Sequence, residues 1–141
     1  MSLLVKYTKQ ELIDKLSLAN LPVLIYGAGV AGQALLVAFN EIGIDVECFC
    51  DNNIKKKGKE LLGLKIIHTA DIKNKYSEAN WIIAAADITD IRDHIIDYGY
   101  YESNLHAGGL ILKSFDFKEF SDNYEAYNKE DKDKGFVEFA I

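Results

Sequence analysis

The segment Gly27-Ala28-Gly29-Val30-Ala31-Gly32 constrains this chain more than any other. Its pattern, G-x-G-x-x-G, is weak by itself and gains meaning from its flanks. Before it stands Val23-Leu24-Ile25-Tyr26, a short apolar run of the kind that forms a strand buried on both faces. After it the chain is rich in Ala and Leu as far as Ile42, a helix expected over residues 31–42, with Gly43 placed to end it. Strand, glycine turn and helix in that order predict a phosphate cradle. Gly27 lets the chain turn sharply off the strand, Gly29 lets a pyrophosphate approach the backbone, and Gly32 lets the helix pack closely on the sheet. The N–H groups and partial positive charge at the helix start, on Val30 and Ala31 beside the glycines, then face the anion.

An acidic residue about 20 residues beyond such a loop is expected to hydrogen-bond a ribose hydroxyl. Asp51 meets that spacing, 19 residues past Gly32, at the end of a second strand expected over residues 44–50. A carboxylate there repels a 2′-phosphate, which favours NAD or a UDP- or ADP-type nucleotide over NADP. Lys55, Lys56 and Lys57 follow closely, and we expect them mostly in water. Asn52 adjoins the same edge, and Ala85, Ala86 and Asp87 are expected to form the facing wall. Asp87 also suits the N-cap of the next helix. Loops that hold S-adenosylmethionine usually carry an acidic residue just before the first glycine. Ile25 and Tyr26 stand there instead, so that ligand is less favoured.

The rest of the chain alternates helix and strand patterns, which points to a parallel sheet with helices on both faces. Thr8-Lys9-Gln10-Glu11 is a capping box, followed by Leu12, Ile13, Leu16 and Leu18 as an apolar stripe. Residues 52–63 read as a polar connection, 64–67 as a third strand, and 69–76 as a weak helix. A fourth strand is expected over 81–86. A helix follows in which Ile88, Ile91, Ile95 and Tyr98 share one side and Gly99 ends the run. A fifth strand lies either within 103–107 or within 110–112. The aromatics Phe115, Phe117, Phe120, Tyr124 and Tyr127 have the spacing of a docked helix, and Phe136 to Phe139 alternates like an edge strand. That tail either covers the core or mediates dimerisation. The expected whole is one domain over 1–141, with its core at about 22–112 and an aromatic extension at 113–141.

Composition excludes several classes. The net charge of −6 argues against a nucleic-acid groove, which needs clustered cations. Cys48 and Cys50 lie two apart, on one face of a strand, where a disulfide would be strained and two ligands are too few for a closed zinc site. We read them as buried thiols, and the chain as a cytoplasmic protein without metal. Lys6, Lys9, Glu11, Asp14 and Lys15 interrupt any signal-like apolar run, and no stretch approaches the ~20 apolar residues of a membrane span.

The stretches LIYGAGVAG, GIDVECFCDNN and KKKGKELLGLKII, within residues 23–67, carry a resemblance. They look like the Rossmann-like N-terminal module of bacterial enzymes of surface-polysaccharide and nucleotide-sugar metabolism. That module occurs in sugar acetyltransferases and ahead of FkbM-type sugar methyltransferases. The resemblance covers about 22–105. It implies nucleotide or nucleotide-sugar binding, and fits the fold expected from the alternating pattern: a three-layer α/β/α domain with a mostly parallel five-stranded sheet in the order 3-2-1-4-5. Neither a hexapeptide-repeat domain nor a second Rossmann domain follows, so the expectation is a free-standing module or a fragment of a larger enzyme, in contact with a catalytic domain or a second copy.

Catalytic constellations are missing. None of the tyrosines has Lys four residues on, and no H-E-x-x-H or G-x-S-x-G occurs. Of His68, His94 and His106, the last is best placed, because strand ends in such sheets face the ligand crevice. The sequence therefore names no catalytic residue. The leading reading is a binding module. The alternatives are an NAD-dependent oxidoreductase completed by a partner subunit, and a ligand-free interaction domain.

Overall fold

The computed structural model describes residues 8–84 and 89–112. Ala85, Ala86, Asp87 and Ile88, and the aromatic extension over 113–141, lie outside the described residues.

Thr8 opens α1 (Lys9–Ala19) through the expected capping box. Its hydroxyl accepts from the Glu11 N–H, and the Glu11 carboxylate accepts from the Thr8 N–H, so two orphan donors of the helix start are paired. Leu12 and Leu16 are buried from this helix. Leu18, expected on the same stripe, is exposed; two residues beyond Leu16, it lies on the opposite side of a helix with 3.6 residues per turn. Asn20 ends α1 in the left-handed region, with φ 52°.

Six strands follow: β1 (Val23–Tyr26), β2 (Cys48–Asp51), β3 (Glu60–Leu61), β4 (Leu64–His68), β5 (Asn80–Ile83) and β6 (Leu105–Ala107). They form one sheet in the order β3-β4-β2-β1-β5-β6. Every pairing is parallel except β3 with β4. The five expected strands stand in the expected order, and β3 adds a sixth at one edge. It arises because Leu62 and Gly63, with φ 51° and 84°, close a two-residue turn of the I′ pattern inside what reads as a polar connection.

Two further expectations need correction, and one open alternative is resolved. β2 begins at Cys48, not Ile44. The Glu47 N–H already bonds the Val23 carbonyl at the start of β1, and the paired register begins at Leu24 with Cys48. Residues Thr69–Asn74 form 3-10 turns, not an α-helix, with His68 as their N-cap. Of the two alternatives for the last strand, Leu105–Ala107 is the strand and Gly109–Leu112 is a short helix, α4.

The helices α2 (Val30–Glu41) and α3 (Thr89–Asp97) complete the layers. Strand alternation sorts the core into two clusters. Val23, Ile25, Phe49, Ile66 and Ile82 pack with α1, α2 and α4 on one face. Leu24, Tyr26, Cys48, Cys50, Trp81 and Ile83 pack with Ile72 and Ile95 on the other. Both cysteines are buried free thiols on one face, as their spacing predicts. Trp81 is fully buried there, edge-on to Tyr100 at 5.0 Å between ring centroids. The result is a three-layer Rossmann-like α/β/α domain.

Candidate functional site

β1 lies between β2 and β5, so the strand order reverses at β1 and opens a crevice beyond the carboxyl ends of these strands. The glycine loop turns out of β1 at that point. Gly27 takes φ 109°, a conformation disfavoured for any residue with a Cβ, and its N–H bonds the Cys50 carbonyl at 2.7 Å. A Cβ there would also stand 3.2 Å from Ala84 Cβ. Gly29 is the N-cap of α2 and provides no side-chain cap. The first turn of α2 thus opens toward the crevice without the oxygen that usually satisfies it. Gly32 lies where the helix crosses the loop, and a Cβ on it would fall 1.9 Å from the Gly27 carbonyl oxygen. Helix and strand end can approach this closely only with glycine at 32.

The side chains of Val30 and Ala31 point into the core, at 1% and 4% exposure, so any contact they make to an anion is through the backbone. Ala28 is likewise buried, and both of its backbone groups are held. Its N–H donates to Asp51 Oδ2 at 2.9 Å, and its carbonyl accepts from Lys56 Nζ at 3.3 Å. Asp51 Oδ1 accepts from the Asn53 N–H at 2.8 Å, and Lys56 Nζ lies 3.8 Å from Asp51 Oδ2. The carboxylate expected to face ribose therefore also organises the loop. Lys56, expected in water, is buried, because Asn53 caps a 3-10 turn (Ile54–Lys56) that brings it to the loop.

Asn52 stands at the same edge and donates from Nδ2 to the Tyr26 hydroxyl at 2.7 Å. Burial, followed by the nearby Asp51 charge, pushes the Tyr26 phenol up to about 12. His68 pairs across from Asp51 in the register of β4 and β2. Its Nδ1 accepts from the Ala70 N–H and its Nε2 lies 3.2 Å from the Asn52 carbonyl oxygen, which puts the proton on Nε2.

The structure thus brings together Gly27, Ala28, Gly29, Val30, Ala31, Gly32, Asp51 and Asn52; Ala85, Ala86 and Asp87 lie outside the described residues. It does not bring His106 to the crevice. His106 sits mid-strand in β6, 3% exposed, with Nε2 3.3 Å from Asn80 Oδ1 at the amino end of β5. Burial, then the charge of Lys15, pulls its imidazole down to about 4. Sequence reasoning missed Lys56 and Gly108. Gly108 donates its N–H to Ile83, and a Cβ there would meet Leu35 Cδ1 at 2.7 Å. The Gly108-Gly109 pair was the available signal for the second; for the first it was Asn53, a turn-capping residue three positions ahead of Lys56. Among the described residues no cluster of His, Cys, Asp and Glu is arranged to hold a metal ion, and no helix is long and apolar enough to cross a membrane.

These features define a Rossmann-like α/β domain with a glycine-loop crevice at its topological switch point. The chain belongs to the C2185-like N-terminal family, whose model matches residues 19–105. Solved structures similar to it include shikimate dehydrogenase from Thermotoga maritima, at 13% identity and TM-score 0.46, covering 94% of this chain and 63% of that one. The chain therefore spans less than two thirds of that dehydrogenase. UDP-D-quinovosamine 4-dehydrogenase from Vibrio fischeri is similar at 18% identity and TM-score 0.43, over 79% of this chain and 96% of that one. No curated protein matches.

Proposed function

We propose that this domain binds a nucleotide, with its phosphates on Gly27 to Gly32 and its ribose at Asp51. One observation carries the reading. An uncapped helix start and a glycine turn too tight for any side chain at 32 meet at the switch point of a parallel sheet. Backbone N–H groups and the helix dipole favour an anion at such a place. NAD or a nucleotide-sugar is the ligand we favour. The setting we infer is bacterial sugar or polysaccharide modification, in contact with a catalytic domain, and it rests on the sequence resemblance of residues 22–105. The domain's part is to bind and present the nucleotide.

A thermal-shift screen of NAD, NADH, NADP, UDP-sugars, S-adenosylmethionine and coenzyme A tests this. A ligand at about 100 times its dissociation constant adds about 2.7 kcal/mol of stability. A shift with a nucleotide that Gly29→Val abolishes, in a variant with unchanged circular dichroism, is the expected result. No shift with any of these ligands, or full affinity in Gly29→Val, would overturn the assignment.

A further inference from the structure

Of the three consecutive lysines after β2, only Lys56 is turned inward. Lys55 is exposed on the same turn, and Lys57 is exposed and paired with Asp71 at 3.0 Å. The Lys56 side chain retains 6% of its exposure. An ammonium group removed from water needs a counter-charge and hydrogen-bond acceptors. Asp51 provides the first at 3.8 Å and the Ala28 carbonyl the second at 3.3 Å.

The converse bears on ligand choice. A carboxylate at the end of the second strand disfavours a 2′-phosphorylated ribose through its negative charge. Asp51 does not present that charge alone. With Lys56 beside it, the pair acts on a ligand as a dipole whose field falls off faster than that of an unpaired anion. Asp51 still has acceptor capacity for a ribose hydroxyl. Each carboxylate oxygen can accept two hydrogen bonds, and one from the backbone is assigned to each here. Resting on the nucleotide-site reading, we propose that Lys56 is a specificity-determining residue: it offsets the charge of Asp51, so that the site admits nucleotides phosphorylated at the 2′-position of adenosine alongside those that are not.

Titration calorimetry of NAD, NADP, ADP-ribose and 2′-phospho-ADP-ribose on the wild-type chain, Lys56→Met and Lys56→Arg tests this. The wild-type affinities for each phosphorylated and unphosphorylated pair should agree within about tenfold. Lys56→Met should move the ratio about 100-fold against the phosphorylated member, equivalent to ~2.7 kcal/mol, and Lys56→Arg should keep the wild-type ratio. If Lys56→Met does not fold, the wild-type ratio decides alone: within tenfold it supports the assignment, and a preference above 100-fold for the unphosphorylated member overturns it. Binding of NAD with a ratio unmoved in a folded Lys56→Met overturns the role of Lys56 and leaves the nucleotide site standing. No binding of any of the four overturns the role of Lys56, and the nucleotide site falls with it only if the UDP-sugars of the thermal-shift screen give no shift either.

Discussion

Replacing Gly32 by alanine sets two effects of known sign against each other. In a helix, alanine is favoured over glycine by about 1 kcal/mol, so propensity alone predicts a more stable protein. Geometry predicts the reverse. The added Cβ would lie 1.9 Å from the Gly27 carbonyl oxygen and 3.4 Å from Phe49 Cε1, whereas real Cβ atoms stay beyond 3.0 Å. Relief requires α2 and the end of β1 to separate by more than 1 Å, and neither is a flexible side chain. The helix face that would lift carries Val30, Ala31, Ala34 and Leu35, none more than 4% exposed. A radial gap of 0.5–1 Å already forfeits a quarter to a half of each dispersion contact. We expect a net loss of about 3 kcal/mol, at the upper end of the usual overpacking cost, and a fall in Tm of roughly 10 °C. Urea unfolding followed by the fluorescence of Trp81, the chain's single tryptophan and fully buried, provides the assay. Gly43→Ala is the control: Gly43 has φ 78° and open space around it, so only the left-handed backbone cost of about 1 kcal/mol applies. If Gly32→Ala is as stable as the wild type, or costs less than Gly43→Ala, the close-approach argument fails.

His106 should make stability fall with acid. Its folded pKa, pulled down to about 4 by burial and then Lys15, lies below the ordinary 6.5. The unfolded chain therefore binds the proton first, and this contribution is complete above about pH 6.5 and lost toward pH 4, at up to about 1.4 kcal/mol per unit. Urea titrations at pH 7.5 and 5 should show the wild type losing about 2 kcal/mol more than His106→Gln; equal losses would remove His106 as the cause. Leu62→Asn should stabilise by about 0.5 kcal/mol or more. Leucine at φ 51° is strained in a turn that asparagine suits, and the side chain is 42% exposed. A fall in the urea midpoint would contradict that account.

What the sequence made legible was whatever rests on local chemistry. The capping box at Thr8, the buried run of β1, the glycine loop and the acidic end of β2 each carry their own signal within a few residues. Where a partner decides, the signal ends. Ile44 and Val46 are as apolar as a strand requires, but their neighbour across the sheet begins only at Val23. Lys56 reads as solvent-facing because its burial depends on the geometry of Asn53 and on an acceptor 28 residues away. His106 reads as a strand-end residue, but β6 runs one residue past it. Leu62 and Gly63 form a hairpin turn that glycine alone does not announce, since leucine is not among the Asn, Asp and Gly that such a turn favours at its first position.

The small hairpin at the sheet edge has a consequence for aggregation. An outer strand of a sheet is a template for foreign strands when its amides and carbonyls face outward unpaired. On β4 that row is occupied. Beyond the pairing with Glu60 and Leu61, the Ile66 N–H bonds the Lys59 carbonyl at 2.8 Å and the Ile66 carbonyl takes the Gly58 N–H at 2.9 Å. The opposite outer strand, β6, is three residues long. Neither margin gives an incoming chain more than a short foothold for main-chain pairing. Among the described residues, the two sheet margins therefore offer few free main-chain groups from which strand-by-strand polymerisation could start.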